Sequence, residues 1–85
     1  MRSISFEPEA WKDLGWWVQE DPKMLPRIYE LITSAAKDPF TGIGKPEPLK
    51  GNYKGYWSRR INQEHRLVYK VENDKILIVL VKGHY

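Results

Sequence analysis

Tyr56-Trp57-Ser58-Arg59-Arg60-Ile61-Asn62-Gln63-Glu64-His65-Arg66-Leu67-Val68-Tyr69 sets two runs of aromatic and β-branched residues around a polar centre at 62–64. That pattern predicts a β-hairpin. A hairpin selected for stability alone has no use for Arg59, Arg60, His65 and Arg66 beside its turn. The periodicity reads as strand, and the charges read as attraction to an anion.

Working outward, Asn73-Asp74 marks a second turn. It leads into Lys75-Ile76-Leu77-Ile78-Val79-Leu80-Val81-Lys82, a run apolar on both faces, which predicts a central strand covered on at least one side. Upstream, residues 2–6 alternate, with Ile4 and Phe6 on one face, as a first strand does. Glu7-Pro8-Glu9 then opens a helix, with proline near the first helical position and acids in the first turn. Ala10, Trp11, Leu14, Trp17 and Val18 recur at helical spacing to about Gln19. Asp21-Pro22 predicts a second helix with Asp21 as its N-cap. Its stripe is Leu25, Ile28, Leu31, Ile32 and Ala35, and Asp38-Pro39 stops it. Both stripes read as core rather than as a cofactor box. The order βααβββ predicts an α+β fold, an antiparallel sheet with an N-terminal helical hairpin packed on one face. A further short strand near 49–53 is a candidate.

The 85 residues fit one domain spanning 1–85, and a chain this short needs a dense core. Four Trp, five Tyr and two Phe supply it, at roughly 150–250 Å² buried each. No cysteine is present, which removes disulfides and thiolate metal sites and fits a reducing compartment. No apolar run approaches the ~20 residues of a membrane span. The N-terminus lacks a secretory apolar region, so the expectation is a complete cytoplasmic chain. The net charge of +3 is unevenly spread: residues 1–40 balance to −2, residues 41–70 to +5, and residues 71–85 to zero. A basic segment of that kind suits an anionic partner, nucleic acid first, or a plain solvated face.

Between the helices and the hairpin lies a stretch rich in Pro and Gly, from Pro39 to Gly55, with little periodicity. Within it, Pro46 and Pro48 fix their own backbone and extend the residue before them. Glu47 is therefore a pinned carboxylate in a basic segment, either positioned for chemistry or paired with Lys45 or Lys50. The second hairpin returns the chain to the end of the sheet where Arg66 lies. A two-residue Asn73-Asp74 loop would pair Arg66 with Val81 and leave His84 on the opposite face. A three-residue loop, or a bulge, would pair Arg66 with Leu80 or Lys82, on the side of His84. Arg60 and Arg66 pair directly if the first loop is 62–64. A working site needs Arg60, Arg66 and His84 on one side.

Grouped this way, the chain offers one carboxylate (Glu47), the cations Lys50, Arg59, Arg60 and Arg66, two histidines (His65 and His84) and a terminal aromatic, Tyr85. No serine or cysteine nucleophile has an evident base, and two histidines without paired acids make a weak metal site. Neither metal nor cofactor is expected. The set suits RNA cleavage in which the ribose 2′-hydroxyl is the nucleophile. A base takes its proton, cations stabilise the phosphate charge, and an acid protonates the leaving 5′-oxygen. Aromatic residues can stack the bases. A non-catalytic RNA- or protein-binding domain explains the same residues.

Gly44-Lys45-Pro46-Glu47-Pro48-Leu49-Lys50, Trp57-Ser58-Arg59-Arg60-Ile61, Glu64-His65-Arg66-Leu67-Val68-Tyr69 and the terminal His84-Tyr85 resemble, in this order, the YoeB family of bacterial toxins. That family lies within the RelE group of messenger-RNA interferases, and the resemblance spans essentially the whole chain. It implies a microbial-ribonuclease-like α+β fold and a ribosome-dependent endoribonuclease that cuts messenger RNA in the A site. It also implies a cognate YefM-like antitoxin, with a homodimer allowed. By the same resemblance Glu47 is the general base, His84 the general acid and Arg66 the stabiliser of the pentavalent phosphate. Lys50, Arg60 and Arg59 hold phosphates, and Tyr85 positions the nucleotide. His65 reads as structural. The competing expectations are a ParE-like gyrase inhibitor, which needs no acid–base pair, and an RNA-binding accessory protein.

Overall fold

Alternation in the basic hairpin produces the expected ladder. β3 (Tyr56–Arg60) and β4 (Arg66–Val71) pair antiparallel with Arg60 opposite Arg66. The computed structural model describes residues 1–84, in which β1 (Ser3–Phe6), α1 (Pro8–Glu20), α2 (Leu25–Lys37) and β2 (Glu47–Pro48) precede that hairpin and β5 (Lys75–Leu80) follows it. The five strands lie in the order β1-β5-β4-β3-β2. Ala10, Trp17, Ile28, Leu31 and Ala35 from the helices meet Leu67, Tyr69, Ile76, Ile78 and Val81 from the sheet in one core, all at most 1% exposed. Each large apolar side chain buried there contributes about 1.5–3 kcal/mol before entropy is counted. In α1, Trp11 and Val18 belong to the apolar stripe yet stay exposed, so the face that packs is the narrower one through Ala10, Leu14 and Trp17.

The structure refines three expectations. The sheet is mixed, because β1 joins β5 in parallel from Ser3 opposite Lys75 to Phe6 opposite Ile78. The apolar run of β5 needs a partner on each edge to be central; β4 provides one and β1 the other. Secondly, the extra short strand is Glu47–Pro48, and Gly51–Tyr53 forms a 3-10 turn. Two prolines confine it to the sheet edge, where a missing N–H faces no partner. Lastly, Asp21 makes no side-chain cap. Its N–H closes α1 onto the Trp17 carbonyl at 3.0 Å, a 3-10 turn occupies Pro22–Met24, and α2 begins at Leu25 with Pro26 in its first turn.

The register that matters lies between β4 and β5. Glu72 and Lys75 close a two-residue Asn73-Asp74 loop. From there Val71 faces Ile76, Lys70 faces Leu77 and Tyr69 faces Ile78. The next pair is Val68 with Leu80, so Val79 is an extra residue on β5, a bulge. Burial changes phase with it: Ile76 and Ile78 are buried two apart, and the next buried residue is Val81. The bulge thus carries Arg66 onto the end of β5, where its N–H donates to the Gly83 carbonyl at 2.8 Å.

Candidate active site

Pleating sorts the two adjacent arginines of β3 to opposite faces. Tyr56, Ser58 and Arg60 alternate with Trp57 and Arg59. Glu47 sits opposite Ser58 in the short β2–β3 ladder, and Arg60 sits opposite Arg66 in the next one. The result is a polar cleft of about 270 Å³ lined by Lys45, Glu47, Ser58, Arg60, Arg66 and His84. Four of the residues expected to do chemistry or hold phosphate, Glu47, Arg60, Arg66 and His84, are brought together from three separated segments. Among the described residues no ion pair closes within the cleft. Its carboxylate and cations therefore remain available to an incoming ligand.

The loop that carries Glu47 is anchored by Arg59, which lies away from the cleft. Its side chain is fully buried. Its Nε donates to the Tyr69 hydroxyl at 2.9 Å, and one terminal nitrogen donates to Ser34 Oγ at 2.7 Å and the Ile43 carbonyl at 3.0 Å. The other donates to the carbonyls of Asp38 at 2.7 Å and Thr41 at 2.9 Å. Tyr69 passes the chain on by donating to the Pro39 carbonyl at 2.6 Å. A guanidinium with its planar donors engaged in this way is what makes its burial tolerable. The expectation that Arg59 holds phosphate is corrected: no donor is left for a ligand, and the group binds the protein's own backbone. Burial pushes the Tyr69 phenol above its usual range, with the Arg59 hydrogen bond opposing. Asp38, whose carboxylate accepts from the Thr41 hydroxyl and the Phe40 N–H, is held below the usual carboxylate value.

Gly44 shows how closely this loop meets the sheet. Its φ is 82°, and its carbonyl accepts the Arg60 N–H at 2.7 Å. A Cβ there would lie 2.5 Å from Leu31 Cδ2, so only glycine fits. The loop leaves Gly44 at the end of β3 and reaches Glu47 through Lys45 and the rigid Pro46.

His84 hangs on a segment clamped from α1 and the hairpin turn. Trp17 Nε1 donates to the Val81 carbonyl at 2.7 Å, and Asp13 accepts the Val81 N–H at 3.0 Å. Lys82 Nζ lies 4.7 Å from the Trp16 ring centre. His65 Nδ1 accepts the Gly83 N–H at 2.8 Å, and its ring stacks edgewise on Trp17 at 5.0 Å. Gly83, at φ 79°, has both backbone groups bonded. His65 is structural, as its position beside the turn suggested.

Lys50 is exposed at the start of the 3-10 turn and does not line the cleft. Tyr85 lies outside the described residues. Lys45 and Ser58 line the cleft without having been singled out. Period-two reading puts Ser58 on the face of Arg60, which was the available signal; Lys45 had none beyond its nearness to Glu47. Among the described residues no cluster of His, Asp or Glu could hold a metal, and no helix is long and apolar enough to cross a membrane.

The sequence model of the YoeB-like toxins of bacterial type II toxin–antitoxin systems matches residues 6–85. Over the full length of both chains, the sequence is 51% identical to Toxin YoeB of Mycobacterium bovis. The fold superposes on the YoeB/ParE toxin from Agrobacterium tumefaciens with a TM-score of 0.93, at 41% identity, over 98% of this chain and 99% of that one. Two Staphylococcus aureus structures are similar at 48% identity. A YoeB dimer gives a TM-score of 0.90 over 99% of this chain and 98% of the other. A heterotetrameric YoeB–YefM toxin–antitoxin complex gives 0.88 over 100% and 99%.

Proposed function

The chain belongs to the YoeB-like toxins of bacterial type II toxin–antitoxin systems, and from that premise we propose that it is a ribosome-dependent endoribonuclease that cleaves messenger RNA in the A site. One observation supports this most: Glu47, Arg60, Arg66 and His84 line a single polar cleft. Glu47 removes the proton of a ribose 2′-hydroxyl, and the 2′-oxygen attacks the adjacent phosphorus. Arg66 and Arg60, paired across β3 and β4, neutralise the charge that builds on the non-bridging oxygens. Imidazolium His84 donates its proton to the departing 5′-oxygen. The products are a 2′,3′-cyclic phosphate and a free 5′-hydroxyl. Because the substrate brings its own nucleophile, the reaction so written calls on no metal or cofactor. Tyr85 is assigned a positioning role on the nucleotide, and Lys50 a phosphate contact outside the cleft.

The Staphylococcus aureus complex contains YefM. By that likeness this toxin has a cognate YefM-like antitoxin and can pair with a second copy as in the solved dimer; its proposed place of action is the bacterial cytoplasm. An acidic antitoxin segment that orders on binding suits the basic cleft.

The test is translation arrest and message cleavage by purified Glu47→Ala and His84→Gln variants. Each single change is expected to slow cleavage by about 10²–10⁴-fold without lowering thermal stability. Wild-type cleavage by the double variant would falsify the assignment. Arrest that persists without cleaved ends would favour simple RNA binding, and toxicity indifferent to both changes would favour gyrase inhibition.

A further inference from the structure

Lys45 is the one non-glycine residue with a left-handed backbone among those described, at φ 53°. An L side chain is disfavoured in that region because its Cβ crowds the following carbonyl. The next residue, Pro46, narrows the choice further, since its ring favours extended geometry in the residue before it. Glycine would suit the position, as it does at Gly44 immediately before, where φ is 82°. Local packing gives no reason for a lysine. The residue is exposed, and among the described residues its ammonium makes no hydrogen bond or ion pair. What the residue does is line the cleft beside Glu47, Arg60, Arg66 and His84. Backbone strain kept at such a place points to use of the side chain.

We propose that Lys45 is a further catalytic residue, its ammonium contacting a non-bridging oxygen of the scissile phosphate. This rests on the ribonuclease reading of the cleft. The geometry supports a specific division of labour. Arg60 and Arg66 reach the cleft from paired strands. Lys45 reaches it from the loop that also carries Glu47, so a phosphate placed between them meets cations from two sides. The Gly44 carbonyl, bonded to the Arg60 N–H at 2.7 Å, ties the loop cation to the strand cations. A compact ammonium with three rotatable donors suits a single phosphate oxygen.

The left-handed backbone makes the test selective, because strain and charge can be separated. Lys45→Gly removes the charge and relieves the backbone; Lys45→Met removes the charge and keeps the strain; Lys45→Arg keeps both. Thermal stability and single-turnover cleavage of ribosome-bound message are measured for each. Affinity is measured for the same complex carrying a 2′-deoxy, uncleavable A-site nucleotide. Lys45→Gly is expected to keep or raise the melting temperature while losing about 10–100-fold in cleavage rate. That loss is smaller than the 10²–10³ of an enclosed donor because the cleft is open to water. Affinity should fall far less than rate, Lys45→Met should match the slow rate, and Lys45→Arg should recover most of it. Wild-type rates in both Lys45→Gly and Lys45→Met overturn the proposal. So does a slow Lys45→Gly accompanied by a lowered melting temperature and a normal Lys45→Met. Glu47→Ala run alongside separates the two claims: if it too cleaves normally, the ribonuclease reading itself has failed.

Discussion

Arg59 and Arg60 are neighbours with opposite fates, and the pleat decides between them. Arg60 points into the cleft, whereas Arg59 follows Trp57 toward the helices and meets three carbonyls and two hydroxyls. Period two shows that they diverge; it does not show that a long loop will fold its carbonyls around the inward one. That outcome depends on contacts 16 to 25 residues away in sequence for the four loop and helix acceptors. Arg59→Lys keeps the charge and loses the planar fork, so several acceptors lose their donor. It should destabilise the fold by about 3 kcal/mol or more in urea titration. Tyr69→Phe is expected to cost about 1–3 kcal/mol at neutral pH, since the Arg59 Nε–H and the Pro39 carbonyl both lose a partner. The same phenol has a pH signature. Its folded value is raised above the ordinary 10.0, so its contribution is complete below pH 10 and is lost as pH rises through the folded value. Melting curves from pH 7 to 11 should therefore fall more steeply for wild type than for Tyr69→Phe. Asp38 works the other way: its lowered value stabilises the fold above 3.8, and the effect is lost as pH falls through the folded value.

The decisive element is the bulge at Val79. Both possible registers are legible from parity, and the proposed site needs the one that puts Arg66 on the side of His84. The sequence could not choose between them, because residues 76–81 are apolar throughout and any phase buries something. The choice is made in three dimensions, where Val81 enters the core while Trp17 and Asp13 hold its backbone. Beyond it the His65 imidazole must present a bare Nδ1 to the Gly83 N–H. His65→Phe keeps the ring packing and loses the acceptor, whereas His65→Asn restores an acceptor at a similar position. Faster exchange of the Gly83 amide is expected in the first and near-wild-type protection in the second. Cleavage should fall by about 10–100-fold in the first, because His84 is no longer held in place. Unchanged Gly83 exchange in His65→Phe would contradict a His65–Gly83 hydrogen bond that holds this segment.

At the scale of the whole molecule, the helical hairpin over a sheet was legible from stripes and turn residues alone. The parallel edge strand was not, since β1 pairs with residues some 70 positions later and its short alternation fits either direction. The uneven charge was legible too, and the fold puts it to use by gathering three cations at one cleft. Binding to ribosome-held message should weaken with salt, and Arg60→Gln should reduce the slope of log affinity against log salt by about one. The central claim is that the cleft runs acid–base cleavage of RNA on the ribosome. It is tested most directly by mapping the ends of messenger RNA from stalled ribosomes treated with the wild-type protein and with His84→Gln. Cuts confined to the A-site codon, leaving a 2′,3′-cyclic or 3′-phosphate and a 5′-hydroxyl in wild type and nearly absent in the variant, are the predicted result. Ends spread along the message, ends bearing a 5′-phosphate, or equal cutting by the two proteins would contradict it.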